Sequence, residues 1–201
     1  MKTLPQIQAV FKAKGYTIYT KPFDLNIFGI RSENSQSDKF DDVLGFWCVD
    51  GKGKTIFYQF PATTDPGKNW LLTPMRSEGT AILVPGQYKG MFKKGFHKSY
   101  PALEQKVVAK YVRDNNKDTI LDFSLYRDPI KAKDNITVDL IKSNIHKAGA
   151  FSTLVGLWSA ACQVLQKSAD FDTLMTYVQA QIDAGLGNSF TYTLLESRDF
   201  K

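Results

Sequence analysis

Two runs of β-branched and aromatic residues, Val43-Leu44-Gly45-Phe46-Trp47-Cys48-Val49 and Thr55-Ile56-Phe57-Tyr58-Gln59-Phe60, are joined by Asp50-Gly51-Lys52-Gly53-Lys54. Glycines in the link supply the positive φ that a tight reversal needs, so the pair reads as an antiparallel hairpin with Cys48 inside its first strand. Similar runs at residues 16–19, 25–30, 81–84, 136–141 and 190–195 read as further strands, and residues 107–112 and 119–123 as a second hairpin about the polar turn 113–118. The segment through Gly79, Pro85, Gly86, Gly90 and Gly95 reads as mostly loop. Helical spacing is confined to two places. Leu4, Ile7, Val10 and Phe11 share a face within residues 1–15, with Thr3 as N-cap, and Leu174, Met175, Val178 and Ile182 share another between an Asp170 N-cap and Gly185. The expected architecture is one α+β domain over residues 1–201. It is β-rich and mostly antiparallel, a mixed sheet or sandwich, with a helix near each end.

A chain of 201 residues with 43% hydrophobic content can bury a sizeable core, which excludes a disordered or fibrous protein. The net charge of +6 favours anionic partners. Its densest groups, Lys52 with Lys54, Lys93 with Lys94 and Lys131 with Lys133, form no stripe that would track a phosphate backbone, so nucleic acid is not an expected partner. Cys48 and Cys162 make neither a disulfide framework nor a C-x-x-C metal site. Asp114, Asn116 and Asp118 alternate as a calcium loop begins, but the sixth-position glycine and the distal Glu are missing, which leaves a polar turn. No metal and no cofactor is expected. The N-terminus lacks an apolar signal region, so synthesis in the cytoplasm is expected. The uncharged stretch 148–166 is broken by Gly149, Ser152, Thr153, Gly156, Ser159 and Gln163, and it reads as a buried loop and strand with no stable membrane insertion.

There are only two histidines, His97 and His146. Thiol catalysis needs a nucleophile, a base for its proton, a group that orients the base, and N–H donors for the oxyanion. Cys162 follows the small residues Ser159, Ala160 and Ala161, which let a substrate carbonyl approach the backbone, and His146 lies upstream at the end of a strand, where a loop can return it to Cys162. A small buried cysteine and a hydrogen-bonded histidine are also common structural residues, so spacing alone leaves both readings open.

The order strand, Ile145-His146, glycine-containing loop, Ser159-x-x-Cys162, helix, strand resembles the catalytic region of the L,D-transpeptidase (YkuD-like) family, over residues 136–196. Upstream, Thr63-Thr64-Asp65-Pro66-Gly67 and Gly79-Thr80 are similar to the turns that precede the site in that family. The variant Trp158-Ser159-Ala160-Ala161-Cys162-Gln163 also looks like phage and prophage proteins thought to act on peptidoglycan. The resemblance implies that Cys162 attacks a peptide carbonyl to form a thioester, that His146 is its base, and that the Lys147 carbonyl orients the ring. Ala161, Ala160 and Ser159 then support the oxyanion. His97, Tyr88 and Trp158 are candidate substrate contacts. Ala160 and Ala161 stand where the family has His-Gly, and Val164 where it commonly has arginine, which leaves substrate recognition open. The implied partner is cell-wall peptidoglycan, and the implied activity is a hydrolase of the endolysin or L,D-carboxypeptidase kind rather than a transpeptidase. A phage enzyme of this kind would reach the wall through a lysis pore or a virion. The alternative is a non-catalytic virion or wall-binding module that retains the fold.

Overall fold

The computed structural model describes residues 1–201. The chain opens with helix α1 (Leu4–Ala13), begun by Thr3, whose side chain accepts from the Gln6 N–H while Gln6 answers to the Thr3 N–H. Strands β1 (Asn26–Arg31), β2 (Asp42–Val49) and β3 (Thr55–Thr63) follow, then a short helix α2 (Lys68–Leu72). Next come β4 (Thr80–Leu83), β5 (Gly86–His97), β6 (Tyr100–Gln105) and β7 (Ala109–Asp114), and two short helices, α3 (Ser124–Arg127) and α4 (Pro129–Asn135). The last third holds β8 (Thr137–Asp139), β9 (Ile145–Lys147), β10 (Gln163–Leu165), α5 (Ser168–Asp183) and β11 (Phe190–Glu196), before a 3-10 turn at Ser197–Phe200.

Eight strands close into a barrel in the order β1-β11-β5-β6-β9-β10-β3-β2, and β4-β7-β8 form a small separate sheet. The domain is therefore the expected β-rich α+β fold, but its main sheet closes on itself rather than packing as a sandwich. Most pairings are antiparallel. The parallel ones are β1 with β11 and β9 with β10. The largest apolar cluster runs from Leu25, Leu44 and Phe46 to Phe92, Tyr192 and Leu194 and takes in Phe171, Leu174 and Val178 of α5. Helix α1 covers a second cluster with Ile7, Val10 and Phe11 against Phe28 and Trp47, and the small sheet lies on a third around Ile82, Val112 and Phe123.

Several expectations are corrected. Residues 16–19 form no strand, because Thr17 and Tyr19 use side-chain partners, Gln87 and Asn26, instead of a ladder. Residues 119–123 form no hairpin with β7, which pairs with β4 and β8. Asp114 instead accepts the Asp122 N–H and pulls that segment into a loop. Helix α5 starts at Ser168 with Lys167 at the cap, and Asp170 lies in its first turn, where a carboxylate favours the helix dipole. The segment read as loop contains the longest strand, β5, paired with β6 in a hairpin. Its glycines hid it. Gly90, at φ +60°, sits where the β5–β11 register shifts, a bulge that bends the strand around the barrel. Finally, the uncharged stretch 148–166 is buried only in part: Val155, Ser159 and strand β10 are inside as expected, but the loop exposes Phe151 at 97% and Leu157 at 67%.

Candidate functional site

The β5–β6 hairpin turns through Lys98, which holds φ +54°, and this sets His97 opposite Tyr100. Strand β6 lies beside β9, and β9 beside β10, so His146 arrives next to His97 with Cys162 just before β10. The rings of His97 and His146 stack at 4.0 Å between centroids and 12° between planes. Cys162 Sγ and a ring nitrogen of each histidine lie within 4.8 Å of one another. Sequence reasoning placed His97 near the site only as a possibility. Its partner Tyr100 was missed altogether, because Lys98-Ser99 lacks the glycine or asparagine that marks a two-residue turn.

Hydrogen bonds set the ring states. His146 Nδ1 is 3.0 Å from the Lys147 carbonyl, and a carbonyl can only accept, so Nδ1 carries the proton. The Tyr100 hydroxyl lies 3.2 Å from the same nitrogen and 3.5 Å from the same carbonyl. His146 Nε2 is thereby the basic nitrogen, buried and without a well-formed hydrogen bond, although the Trp158 carbonyl lies close enough to the ring to favour its charged form. His97 is held by Asn144. The Asn144 Oδ1 accepts from the Gln105 N–H at 3.0 Å, which leaves its Nδ2 to donate to His97 Nδ1 at 3.3 Å.

Burial, with the neighbouring His97 second, lowers the His146 pKa to about 4, so the ring stays neutral across the physiological range. Burial likewise raises Cys162 to about 11, with the Asn144 backbone N–H and Lys98 pulling the other way. Cys162 Sγ faces the Lys142 carbonyl at 3.8 Å. The resting pair is thus thiol and imidazole, not the partly ionised thiolate that a Cys/His pairing suggests. Cys48, 1% exposed, is also raised to about 11, by burial and by Asp50. Labelling should therefore be slow for both thiols at neutral pH, with Cys162 reacting first as the pH rises because it borders an open cleft. Mass spectrometry after iodoacetamide treatment at stepped pH measures this, and fast labelling of Cys162 at pH 6 would show an ion pair instead.

The cleft, of about 260 Å³, is lined by Trp70, Arg76, Arg113, Lys142, Ala160 and Cys162 among others. Ser159, fully buried, donates to the Cys162 carbonyl at 2.8 Å, and Ser143 donates to the Ala161 carbonyl at 2.6 Å. These bonds tie down the carbonyls, while the N–H groups of Ala160, Ala161 and Cys162 donate to no backbone carbonyl. The loop is braced from outside by Gly67, which donates to the Ser159 carbonyl at 2.9 Å and packs so closely on the Gly156 backbone that a Cβ there would collide with it. Comparison of the chain with protein-family models, curated proteins and solved structures finds no match. The site therefore rests on its own geometry.

Not every candidate joins it. The Tyr88 hydroxyl donates to the Val84 carbonyl at 2.6 Å, and the residue does not border the cleft. Trp158, 40% exposed, packs its ring over Gly149 on the loop between His146 and Cys162 and meets the site only through its backbone, which reaches the His146 imidazole. A His₂Cys set suits a soft divalent ion in composition. Imidazole lone pairs lie in the ring plane, however, and two nearly parallel stacked rings cannot both aim at one ion without turning apart. No helix is long and apolar enough to cross a membrane.

Proposed function

We propose that this chain is a cysteine-dependent enzyme that opens a peptide bond in the stem peptides of bacterial cell wall through a thioester on Cys162, with hydrolysis favoured over transfer. The observation that carries this reading is the buried Nε2 of His146 close to the Cys162 thiol, with no well-formed hydrogen bond of its own and the ring's other nitrogen committed to the Lys147 carbonyl. A buried imidazole nitrogen left bare is costly unless something uses it. The wall as target rests on the resemblance to the L,D-transpeptidase family and on the net charge of +6, which suits anionic wall polymers.

In the proposed reaction, substrate binding turns the thiol from the Lys142 carbonyl toward His146. Nε2 takes the S–H proton as sulfur bonds to the peptide carbonyl carbon, and the free N–H groups at Ala160 to Cys162 receive the oxyanion. Collapse breaks the C–N bond, and His146 returns the proton to the leaving amine. Water, deprotonated by the same nitrogen, then attacks the thioester and releases the acid and the thiol. A small reorganisation from within 4.8 Å is ordinary for a site without substrate.

Cys162→Ser should abolish release of product from purified muropeptides, read by mass spectrometry, with an unchanged circular dichroism spectrum, because a hydroxyl is a far poorer nucleophile. Wild-type turnover by that folded variant would overturn the proposal. One observation favours the second reading, a non-catalytic wall-binding module: the thiol faces Lys142 and is held protonated. That reading predicts sacculus binding with no product from the wild type.

A further inference from the structure

His97 and His146 differ in which nitrogen carries the proton. The Asn144 side chain commits its oxygen to the Gln105 N–H at 3.0 Å, so only its amide hydrogens remain for His97 Nδ1 at 3.3 Å, and that nitrogen must accept. Gln105 holds the arrangement from the other end, where its Oε1 accepts the Ser143 N–H at 2.8 Å and its Nε2 donates to the Val107 carbonyl at 2.9 Å. A neutral His97 therefore carries its proton on Nε2. Burial, with Lys98 second, lowers its pKa and so favours the neutral ring. The contact with Asn144 is the one hydrogen bond His97 makes, which leaves Nε2–H unused on a half-buried ring. His146 has the opposite tautomer, with Nδ1–H on the Lys147 carbonyl. The two stacked rings thus offer a base and a donor side by side.

We propose that His97 is a catalytic hydrogen-bond donor, its Nε2–H joining the free N–H groups at Ala160 to Cys162 in holding the oxyanion formed when Cys162 attacks. The assignment rests on the cysteine-enzyme reading and adds a residue to it. A ring nitrogen of His97 lies within 4.8 Å of Cys162 Sγ, and a hydrogen bond of about 2.9 Å spans the gap to an oxygen on the carbon that sulfur attacks. A neutral imidazole suits the task, because it donates without setting a second positive charge beside His146, which becomes imidazolium in the same step. Asn144 couples donor and nucleophile: its side chain fixes the His97 tautomer while its backbone N–H faces the thiol.

The test separates oxyanion stabilisation from peptide recognition by using p-nitrophenyl acetate, whose acetyl carbon bonds to Cys162 sulfur as its C–O bond to nitrophenolate breaks and His146 takes the thiol proton. Nitrophenolate release is read against the Cys162→Ser protein. His97→Phe, which keeps a ring on the stack but has no donor, should slow acylation by about 10²- to 10³-fold, the worth of one oxyanion donor. His97→Gln, which restores an N–H, should recover most of that loss. Nitrogen-15 ring shifts of the wild type need no variant, and they should show His97 protonated at Nε2 and His146 at Nδ1. Wild-type acylation by His97→Phe, equal losses in the Phe and Gln variants, or a His97 proton on Nδ1 overturns the donor and leaves Cys162 as nucleophile. Wild-type acylation no faster than that of Cys162→Ser overturns both. If acylation depends on His97 but L-Ala-γ-D-Glu-L-Lys-D-Ala stays whole, the wall-peptide reading fails while the donor stands.

Discussion

Replacing His146 by alanine is expected to lower kcat/KM for stem-peptide cleavage by about 10²- to 10⁴-fold, the usual worth of a positioned general base. His146→Gln should be as inactive, since it keeps a polar group near the Lys147 carbonyl but supplies no base. The pH profile gives the finer test. With His146 lowered to about 4 by burial and by His97, the basic form persists down to mildly acid pH, and kcat/KM should stay level until its acid limb appears near pH 4. An acid limb at pH 6 to 7, the range of an ordinary histidine, would mean that burial and the stacked His97 do not hold the ring neutral. The same lowered pKa affects stability. The unfolded chain binds a proton at His146 below the ordinary histidine pKa and the folded one only below about 4, so stability falls as pH drops through that window. Circular dichroism at each pH separates lost base from lost fold.

The largest expected effect on folding comes from Arg31→Met. Arg31 is fully buried at the end of β1. Its Nε pairs with Asp65 at 2.7 Å, its Nη2 donates to the Thr64 carbonyl at 2.9 Å, and its Nη1 donates to the Leu83 carbonyl at 2.7 Å. One side chain thus joins the barrel, the turn after β3 and the small sheet. Asp42 completes the network by accepting from the Thr64 N–H and hydroxyl and from the Ser32 N–H. Methionine fills similar volume but removes the partner of the Thr64 and Leu83 carbonyls and of Asp65, whose carboxyl pKa burial already pushes up to about 8, and losing one partner of a buried pair costs about 3–5 kcal/mol. Urea unfolding should show a lower midpoint with little change in slope. Activity should fall too, because Gly67, two residues past Asp65, braces the Ser159 carbonyl. A wild-type midpoint would show that this network does not hold the barrel to the small sheet.

Elements governed by local rules were legible in the sequence. The Thr3 cap, the Val43 to Phe60 hairpin and the terminal strand depend on neighbours a few residues apart, and their periodicity and turn chemistry carry the information. That Cys162 and His146 lie close together was also within reach, because histidines are few and the strand, loop and cysteine order resembles a known pattern. What the tertiary structure alone decided involves residues distant in sequence. Closure of the barrel depends on the β1–β11 pairing, between strands at opposite ends of the chain. The stacking of His97 on His146 depends on β6 lying against β9, after a turn whose lysine gives no local signal. The meeting of Arg76, Arg113 and Asp139 depends on where the small sheet ends. The charge state of the site was decided the same way. A cysteine near a histidine suggests an ion pair on paper, but burial penalises both charges at once, and only the packed structure shows how completely water is excluded from His146.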